Sequence, residues 1–441
     1  MEHLQMLTYE QVLSKINNGV NHLLIANGFN YGLGVKTGYA DILNEMIESK
    51  SSLYKDANLY FEKANYDLEL FLKEMTDSIA AENIFLKKYV YNKIKLDFMQ
   101  ALHNIVKSQI KHVYAEQNEG IYILLSQFDN YFTLNYDSFL YLLLLKYRKN
   151  IENNKNAIAF TPKISFIETD LNERNNDIYR EIKQLRDSGK MEINLPEASI
   201  GTDLFRLTKT NFVSAVSLYS KEQKKGWKDK DIKNAVDLIL EDEKKNQVLG
   251  RVEDGFRYLF DRDEFIHDVN AEQNIFFLHG AFHIFKDGNE IKKITQETDK
   301  ALYTKLEEVL NHEEQDVVCI FQSTNKLEAI KENSYLLNCY NKLSSLSGNM
   351  VIIGSSLDDN DSHIFSQIDK SQLEKIYISV MPCDLEKQYN KARAKFPNKQ
   401  VILFDAMTIS YKLEEKVDSL TQQNENKLEA MRLTLENKIT A

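Results

Sequence analysis

Runs of four to six consecutive apolar residues recur along the chain. Each one ends in small or polar residues. They are "HLLIANGFN" (22–30), "NYFTLNYD" (130–137), "NIFFLHGAF" (274–282), "DVVCIFQSTN" (316–325) and "NMVIIGSSLDDND" (349–361). "KIYISVMP" (375–382) and "QVILFDA" (400–406) follow. Apolar residues that do not alternate with polar ones predict strands covered on both faces. Between these runs the apolar positions recur at helical spacing, as in "NSYLLNCYNKLSSLS" (333–347). Strand and helix patterns in alternation predict an α/β fold: a doubly wound, mostly parallel, Rossmann-like sheet with helices on both sides.

Two long stretches interrupt the alternation. Between Gly38 and Gly120 there is neither Gly nor Pro, and "YDLELFLKEM" and "FMQALHNIVKSQI" carry helical spacing. Residues 38–125 are therefore expected to be a helical insertion. Residues 151–270 mix charged helical stretches with an exposed loop, "KEQKKGWKDKD", and are expected to be a second, mainly helical insertion. The core is then assembled from 1–37, 126–150 and 271–406. A charged helix is expected over 407–441.

Composition narrows the setting. The chain has 441 residues, 43% of them apolar, enough for a sizeable core. Its net charge of −11 and the lack of a long basic run disfavour nucleic acid as a partner. The longest apolar run, "FLYLLLL" (139–145), is too short to cross a bilayer, and the N-terminus has no signal-peptide pattern. Cys319, Cys339 and Cys383 are widely spaced and form no CxxC pair, so neither a zinc site nor a disulfide framework is expected. A reducing cytoplasm is the expected location.

The candidate chemistry lies at the strand ends, where ligands bind in open α/β sheets. The first run closes on "ANGFNYGLG", whose Gly28 lets backbone approach a pyrophosphate. The second closes on Asn135-Tyr136-Asp137. The third places His279, a titratable imidazole, before Gly280. The fifth offers Gly354, Ser355 and Ser356 to phosphate oxygens.

In order and spacing, "ANGFN", "LNYD", "LHG" and "GSSL" resemble the strand-end motifs of the sirtuin family. The resemblance covers roughly 20–35, 130–145, 272–285 and 316–406, and leaves the insertions out. It implies a doubly wound sheet that binds NAD across its strand ends. It implies that Asn135 and Asp137 hold the nicotinamide ribose and carboxamide, with Tyr136 between them. His279 is implied to act on the ribose hydroxyls. Ala26, Asn27, Gly28, Phe29 and Asn30 are implied to line the pyrophosphate, and Gly354, Ser355 and Ser356 to contact phosphate.

The sequence departs from the deacylases of that family. The four zinc-binding cysteines after the histidine are missing. "YGLGVKTGYAD" replaces the usual Asp-Phe-Arg segment, Asn30 replaces a loop serine, and "IYISV" replaces the Ile-Asn strand that holds the adenosine ribose. With "LNYD", "LHGA" and "GSSLxxxDxHIF", the chain looks instead like the sirtuin-like effectors of bacterial antiphage defence, and Asp361 and His363 join the NAD-binding set. The resemblance implies a zinc-free NAD glycohydrolase that acts in abortive infection. It would be an oligomer or bind a regulatory protein of its operon. The competing readings are a module that binds NAD or ADP-ribose without turnover, and a deacylase.

Overall fold

The computed structural model describes residues 6–16, 19–49, 54–64, 68–115, 119–144, 209–243, 248–251, 254–259, 264–271, 273–294, 299–320 and 326–411, with short pieces between 163 and 192. The centre is a six-stranded sheet of β1 (Asn21–Ile25), β2 (Asn130–Thr133), β3 (Ile275–Phe277), β4 (Ser347–Ile353), β5 (Gln372–Val380) and β6 (Gln400–Asp405). All five pairings are parallel, in the order β6-β5-β4-β1-β2-β3. Read from the other edge this is 3-2-1-4-5-6, the doubly wound Rossmann order. Its topological switch point lies between β1 and β4.

Central position explains the apolar runs. All five residues of β1 are buried. Its two polar members are satisfied. Asn21 Nδ2 donates to the Ile16 carbonyl at 2.8 Å, and the His22 ring lies 3.0 Å from both the Ser347 carbonyl and Asn130 Nδ2. Helices α1 (Tyr9–Ile16), α2 (Asn27–Gly32), α3 (Tyr39–Ser49), α4 (Ile84–Ala115), α5 (Lys326–Glu332), α6 (Ser334–Ser344), α7 (Ser362–Asp369) and α8 (Leu385–Lys395) accompany the sheet or follow from its strand ends. Asn333 caps α6 by accepting from the Tyr335 and Leu336 N–H groups.

Three local expectations are corrected. The first run is not a strand to residue 30: β1 stops at Ile25, and Asn27, Gly28, Phe29 and Asn30 lie in α2. The fourth run is not in the parallel sheet. Gln315–Cys319 pairs antiparallel with Gly280–Asp287 in a second, eight-stranded sheet whose pairings are all antiparallel. Residues expected to be mainly helical supply five strands of that sheet: Lys163–Phe166, Met191–Glu192, Val248–Arg251, Phe256–Leu259 and Glu264–His267. Helices Lys209–Glu222 and Asp229–Glu243 also fall in this stretch.

Gly280 makes the crossing between sheets. It has φ of +79°, and a Cβ there would sit 1.8 Å from the Val318 carbonyl oxygen. Only glycine fits this turn. It lets the chain leave β3, spend two residues on Leu278 and His279, and enter the antiparallel sheet. His279 is therefore held at the junction of the two sheets.

The insertion after Gly38 is helical where it is described. The 32 residues of α4 span about 48 Å. Ile42, Met46, Phe98 and Leu102 of α3 and α4 share a core with Phe282, Phe285 and Val317 of the antiparallel sheet and Leu302 and Leu306 of helix Asp299–Asn311. A separate core surrounds the parallel sheet. At the C-terminal side, Ala406–Thr408 forms a 3₁₀ turn and the Tyr411 ring packs 6.1 Å from Phe29. The rest of the helix expected over 407–441 lies outside the described residues.

Candidate functional site

A cleft of about 360 Å³ opens at the switch point, within the size range of small-molecule sites. One wall is the parallel sheet's strand ends: Ala26 and Asn27 after β1, Leu134 to Asp137 after β2, and Gly354, Ser355 and Ser356 after β4. The opposite wall comes from the insertion, as Tyr39, Ile42, Phe98 and Leu102. His279, Lys326, Asp358, Asn360 and Asp361 complete it.

The β1 and β4 ends touch through backbone. Gly28 N–H donates to the Gly354 carbonyl at 3.0 Å, and Ala26 N–H to the Ile353 carbonyl at 3.0 Å. A Cβ on Gly28 would lie 2.6 Å from Gly354 Cα, and Gly354 itself has φ of +75°. Two glycines are thus required for this contact. Ser379 Oγ of β5 accepts the Gly354 N–H at 3.0 Å, and Lys391 of α8 reaches the Ser356 carbonyl at 3.1 Å and Asp358 at 2.6 Å. The loop after β4 is thereby pinned from its outer side.

A polar chain braces the β2 end. Thr37 Oγ1 donates to Asn27 Oδ1 (2.6 Å). Asn30 Nδ2 donates to Thr37 Oγ1 (2.8 Å) and Asp137 Oδ2 (2.9 Å), and Asn30 Oδ1 accepts from Asn135 Nδ2 at 3.3 Å. Asp137 Oδ1 accepts the Phe139 N–H at 2.8 Å. Burial pushes the Asp137 carboxyl up to about 6, against the pull of the Phe139 and Asn30 donors. It is therefore mostly ionised at neutral pH.

His279 is 2% exposed. Burial, helped by the Lys326 charge, pushes its imidazole down to about 3, while a bond to the Leu134 carbonyl opposes the shift. Its Nε2 lies 3.4 Å from His363 Nε2 and 3.6 Å from Asp361 Oδ1. A neutral imidazole carries one N–H. At neutral pH the ring is therefore uncharged and keeps one bare nitrogen as an acceptor. Asp361 also lies 3.7 Å from Lys326. Burial raises the Asp361 carboxyl, and Lys326 draws it back.

Most of the residues picked out from the sequence meet here. Ala26, Asn27, Asn135, Tyr136, Asp137, His279, Gly354, Ser355, Ser356 and Asp361 line the cleft. Four do not. Phe29 is fully buried against Phe139 and Tyr411. Asn30 is fully buried as the brace between Asp137 and Asn135. Gly28 forms the contact beneath the cleft, and His363 stands behind His279. The expected pyrophosphate contacts of Phe29 and Asn30 are corrected accordingly: α2 turns both side chains inward. Sequence reasoning passed over Thr37, Lys326, Asp358, Asn360 and the insertion's Tyr39, Ile42, Phe98 and Leu102. Asp358 and Asn360 stand inside the quoted "GSSLDDND"; the others carry no local signal.

No group of three or more His, Cys, Asp or Glu is placed to hold a metal ion among the described residues. Among them, too, no helix is long and apolar enough to cross a membrane.

Residues 238–410 are similar to a family described as a domain of unknown function (DUF4917). The match includes His279, Lys326, the Gly354–Asp361 loop and His363, and leaves out Gly28, Asn30, Asn135 and Asp137. No curated protein matches the chain.

Proposed function

We propose that this protein is an NAD glycohydrolase, cleaving NAD to nicotinamide and ADP-ribose. The observation that carries the reading is the joining, at one Rossmann switch point, of the Gly28–Gly354 backbone contact with Asn135, Asp137 and a neutral His279. The first suits a pyrophosphate. The second suits a ribose whose bond to a leaving base passes through a cation-like transition state.

The roles follow from the chemistry. Nicotinamide leaves as a neutral molecule, so no strong acid is needed. Asn135 orients the ribose or the attacking water. The Asp137 carboxylate favours positive charge developing on the sugar and accepts from the carboxamide N–H. The neutral His279 imidazole accepts the hydrogen bond of the ribose hydroxyl or the water and draws its proton as positive charge develops on the sugar. Tyr39, Ile42, Phe98 and Leu102 give a flat ring an apolar wall and exclude solvent.

The resemblance to defence effectors adds the setting: an NAD-depleting protein of abortive infection, held silent as an assembly or until a partner or trigger arrives. The insertion's contribution to the cleft supports control at this point, because a partner that shifts α3 or α4 changes the cleft. The test is incubation of the full chain with NAD, its etheno analogue and an acetylated peptide, at several protein concentrations and with candidate operon partners. Nicotinamide release, lost in His279→Ala and Asn135→Ala by on the order of 10²–10⁴-fold, is expected. Release that persists in both variants, or deacetylation instead, would overturn the reading. Full turnover by dilute, isolated chain would remove the proposed restraint.

A further inference from the structure

Helix α4 changes character along its length. Val90, Phe98 and Leu102 pack into the core of the insertion, and Val106 and Ile110 into the core around the parallel sheet. Before Val90 the apolar side chains are bare. Ile84 is 73% exposed, Phe85 78% and Tyr89 57%. The helix starts cleanly there, because Asn83 Oδ1 accepts the Leu86 N–H at 3.1 Å.

At about 100° per residue, Ile84, Phe85, Lys88 and Tyr89 share one face of α4. The Phe85 and Tyr89 rings stack, with centroids 6.3 Å apart and planes 21° from parallel. Each ring holds the other, so little rotamer freedom is left to lose on docking. Lys88 is exposed beside them, and Glu82 is exposed in the turn before the cap. The face thus carries both signs of charge at equal spacing: Glu82 lies three residues before Phe85, and Lys88 three residues after it.

We propose that this face docks a second copy of the chain, α4 against α4, antiparallel about a twofold axis at Phe85. That axis sets Phe85 against Phe85 of the partner subunit and Glu82 opposite Lys88 of the partner subunit. Symmetry repeats the charge pair on the other side. Each pair lies about 4.5 Å along the helix from the axis, three residues at about 1.5 Å each. Parallel pairing would instead set Lys88 against Lys88. Nucleic acid, negative throughout, would meet Glu82, and a basic partner would meet Lys87 and Lys88.

Size sets the strength. Three large apolar side chains per copy fall short of the about 20–30 residues a side of a standard interface, so the dimer forms and dissociates with concentration. The contact also bears on the cleft. Phe98 and Leu102 of its apolar wall belong to the same helix. Between the exposed end and that wall, Lys95 Nζ meets Asp316 of the second sheet at 2.9 Å, and the Asn92 amide donates to the Leu310 carbonyl of helix Asp299–Asn311. Docking at the exposed end therefore reaches the wall through one braced element. This names a second copy as the partner in the restraint proposed above, and it rests on the hydrolase reading for that consequence alone.

The test needs no NAD. Sedimentation of the full chain from about 0.1 to about 100 µM is expected to show a monomer–dimer transition. Phe85→Glu and Tyr89→Glu, both at exposed positions and checked for unchanged thermal melts, are expected to weaken association about tenfold or more. Glu82→Lys and Lys88→Glu should each weaken it, and the two together should restore it to within about twofold, because the reciprocal pairs form again with their signs exchanged. A wild-type chain that stays monomeric throughout would overturn the proposal. So would a dimer indifferent to Phe85→Glu and Tyr89→Glu, or a double exchange no better than the single ones. A monomeric chain that binds phosphatidylserine vesicles, and loses them in Phe85→Glu, would overturn it in favour of a lipid surface. The expected dimer, found in a chain that never hydrolyses NAD, would uphold the surface and sink the hydrolase reading.

Discussion

Gly28→Ala tests the construction of the cleft more directly than any change to its polar residues. The position does not have positive φ, so alanine is acceptable to the backbone there. The obstacle is across the gap. The new Cβ would meet Gly354 Cα at 2.6 Å and the Gly354 carbonyl oxygen at 2.9 Å. Both are backbone atoms, and neither swings aside like a side chain. The β1 and β4 ends must part by about 0.8 Å to bring 2.6 Å out to an ordinary 3.4 Å. That movement stretches the 3.0 Å bond from Gly28 N–H to the Gly354 carbonyl. Overpacking of this kind costs about 1–3 kcal/mol. A displacement near 1 Å in a positioned site lowers turnover by about 10²-fold. The assay is urea unfolding together with calorimetric titration of ADP-ribose, which needs no activated enzyme. Gly19→Ala is the control, because a Cβ there meets nothing nearer than Asn349 Nδ2 at 3.5 Å. Gly28→Ala with unchanged unfolding and unchanged ADP-ribose affinity would refute the claim that this contact shapes the site.

Other expected outcomes rest on buried charge. Burial pushes His22 and His363 down to about 4, and His279 and His283 to about 3. The unfolded chain binds protons on all four below about 6.5 while the folded chain does not, so their stabilisation is complete above 6.5 and lost as pH falls through 4 to 3. Asp137, raised to about 6, acts oppositely: its contribution is full below about 4 and lost as pH rises through 6. The net of four against one limits the slope to about 4 kcal/mol per pH unit near pH 5, and thermal melts from pH 7 to 4 should show a steep fall; a flat profile would contradict the buried neutral histidines. Lys293 is fully buried with its Nζ 2.5 Å from Asp254 and 4.6 Å from the Phe265 ring centroid. Lys293→Met strands a buried carboxylate and should cost about 3–5 kcal/mol in urea unfolding, whereas the double change with Asp254→Asn should restore at least half; equal losses in both would show that the charge is not what matters.

The parallel sheet was legible because its strands are covered on both faces, which writes unbroken apolar runs such as "HLLI" and "MVII". The same pattern misassigned "DVVCI". Val317 and Val318 are both buried, one against each core, so the run looks like a central parallel strand although it pairs antiparallel. The eight-stranded sheet was illegible for a related reason. Six consecutive residues of Gly280–Asp287 are buried, so the two-residue alternation that marks an antiparallel strand is absent. Asn135, His279 and the Gly354 loop were legible as strand ends. Lys326 was not, because its position follows from the sheet its preceding strand joins.

Asn30 shows how a site residue changes meaning between sequence and fold. In the resemblance it stands where a serine meets the ligand. In the structure it is fully buried, and its amide has three polar partners, Thr37, Asp137 and Asn135. A serine has one hydroxyl proton and a shorter reach, and it cannot hold two acceptors and accept from a third group at once. The larger amide therefore turns a ligand contact into a brace that fixes the Asn135 and Asp137 side chains from behind. His279 is fixed in the same manner, from the Leu134 carbonyl on the same strand end. The three groups assigned to the reaction thus depend on one short stretch after β2, held to α2 by Asn30 on one side and to the second sheet by the Phe282 N–H, which donates to the Tyr136 carbonyl at 3.3 Å, on the other. The sheet junction is what adds a buried imidazole to the cleft lined by Asn135 and Asp137, since neither the Rossmann order nor the glycine contact alone does so.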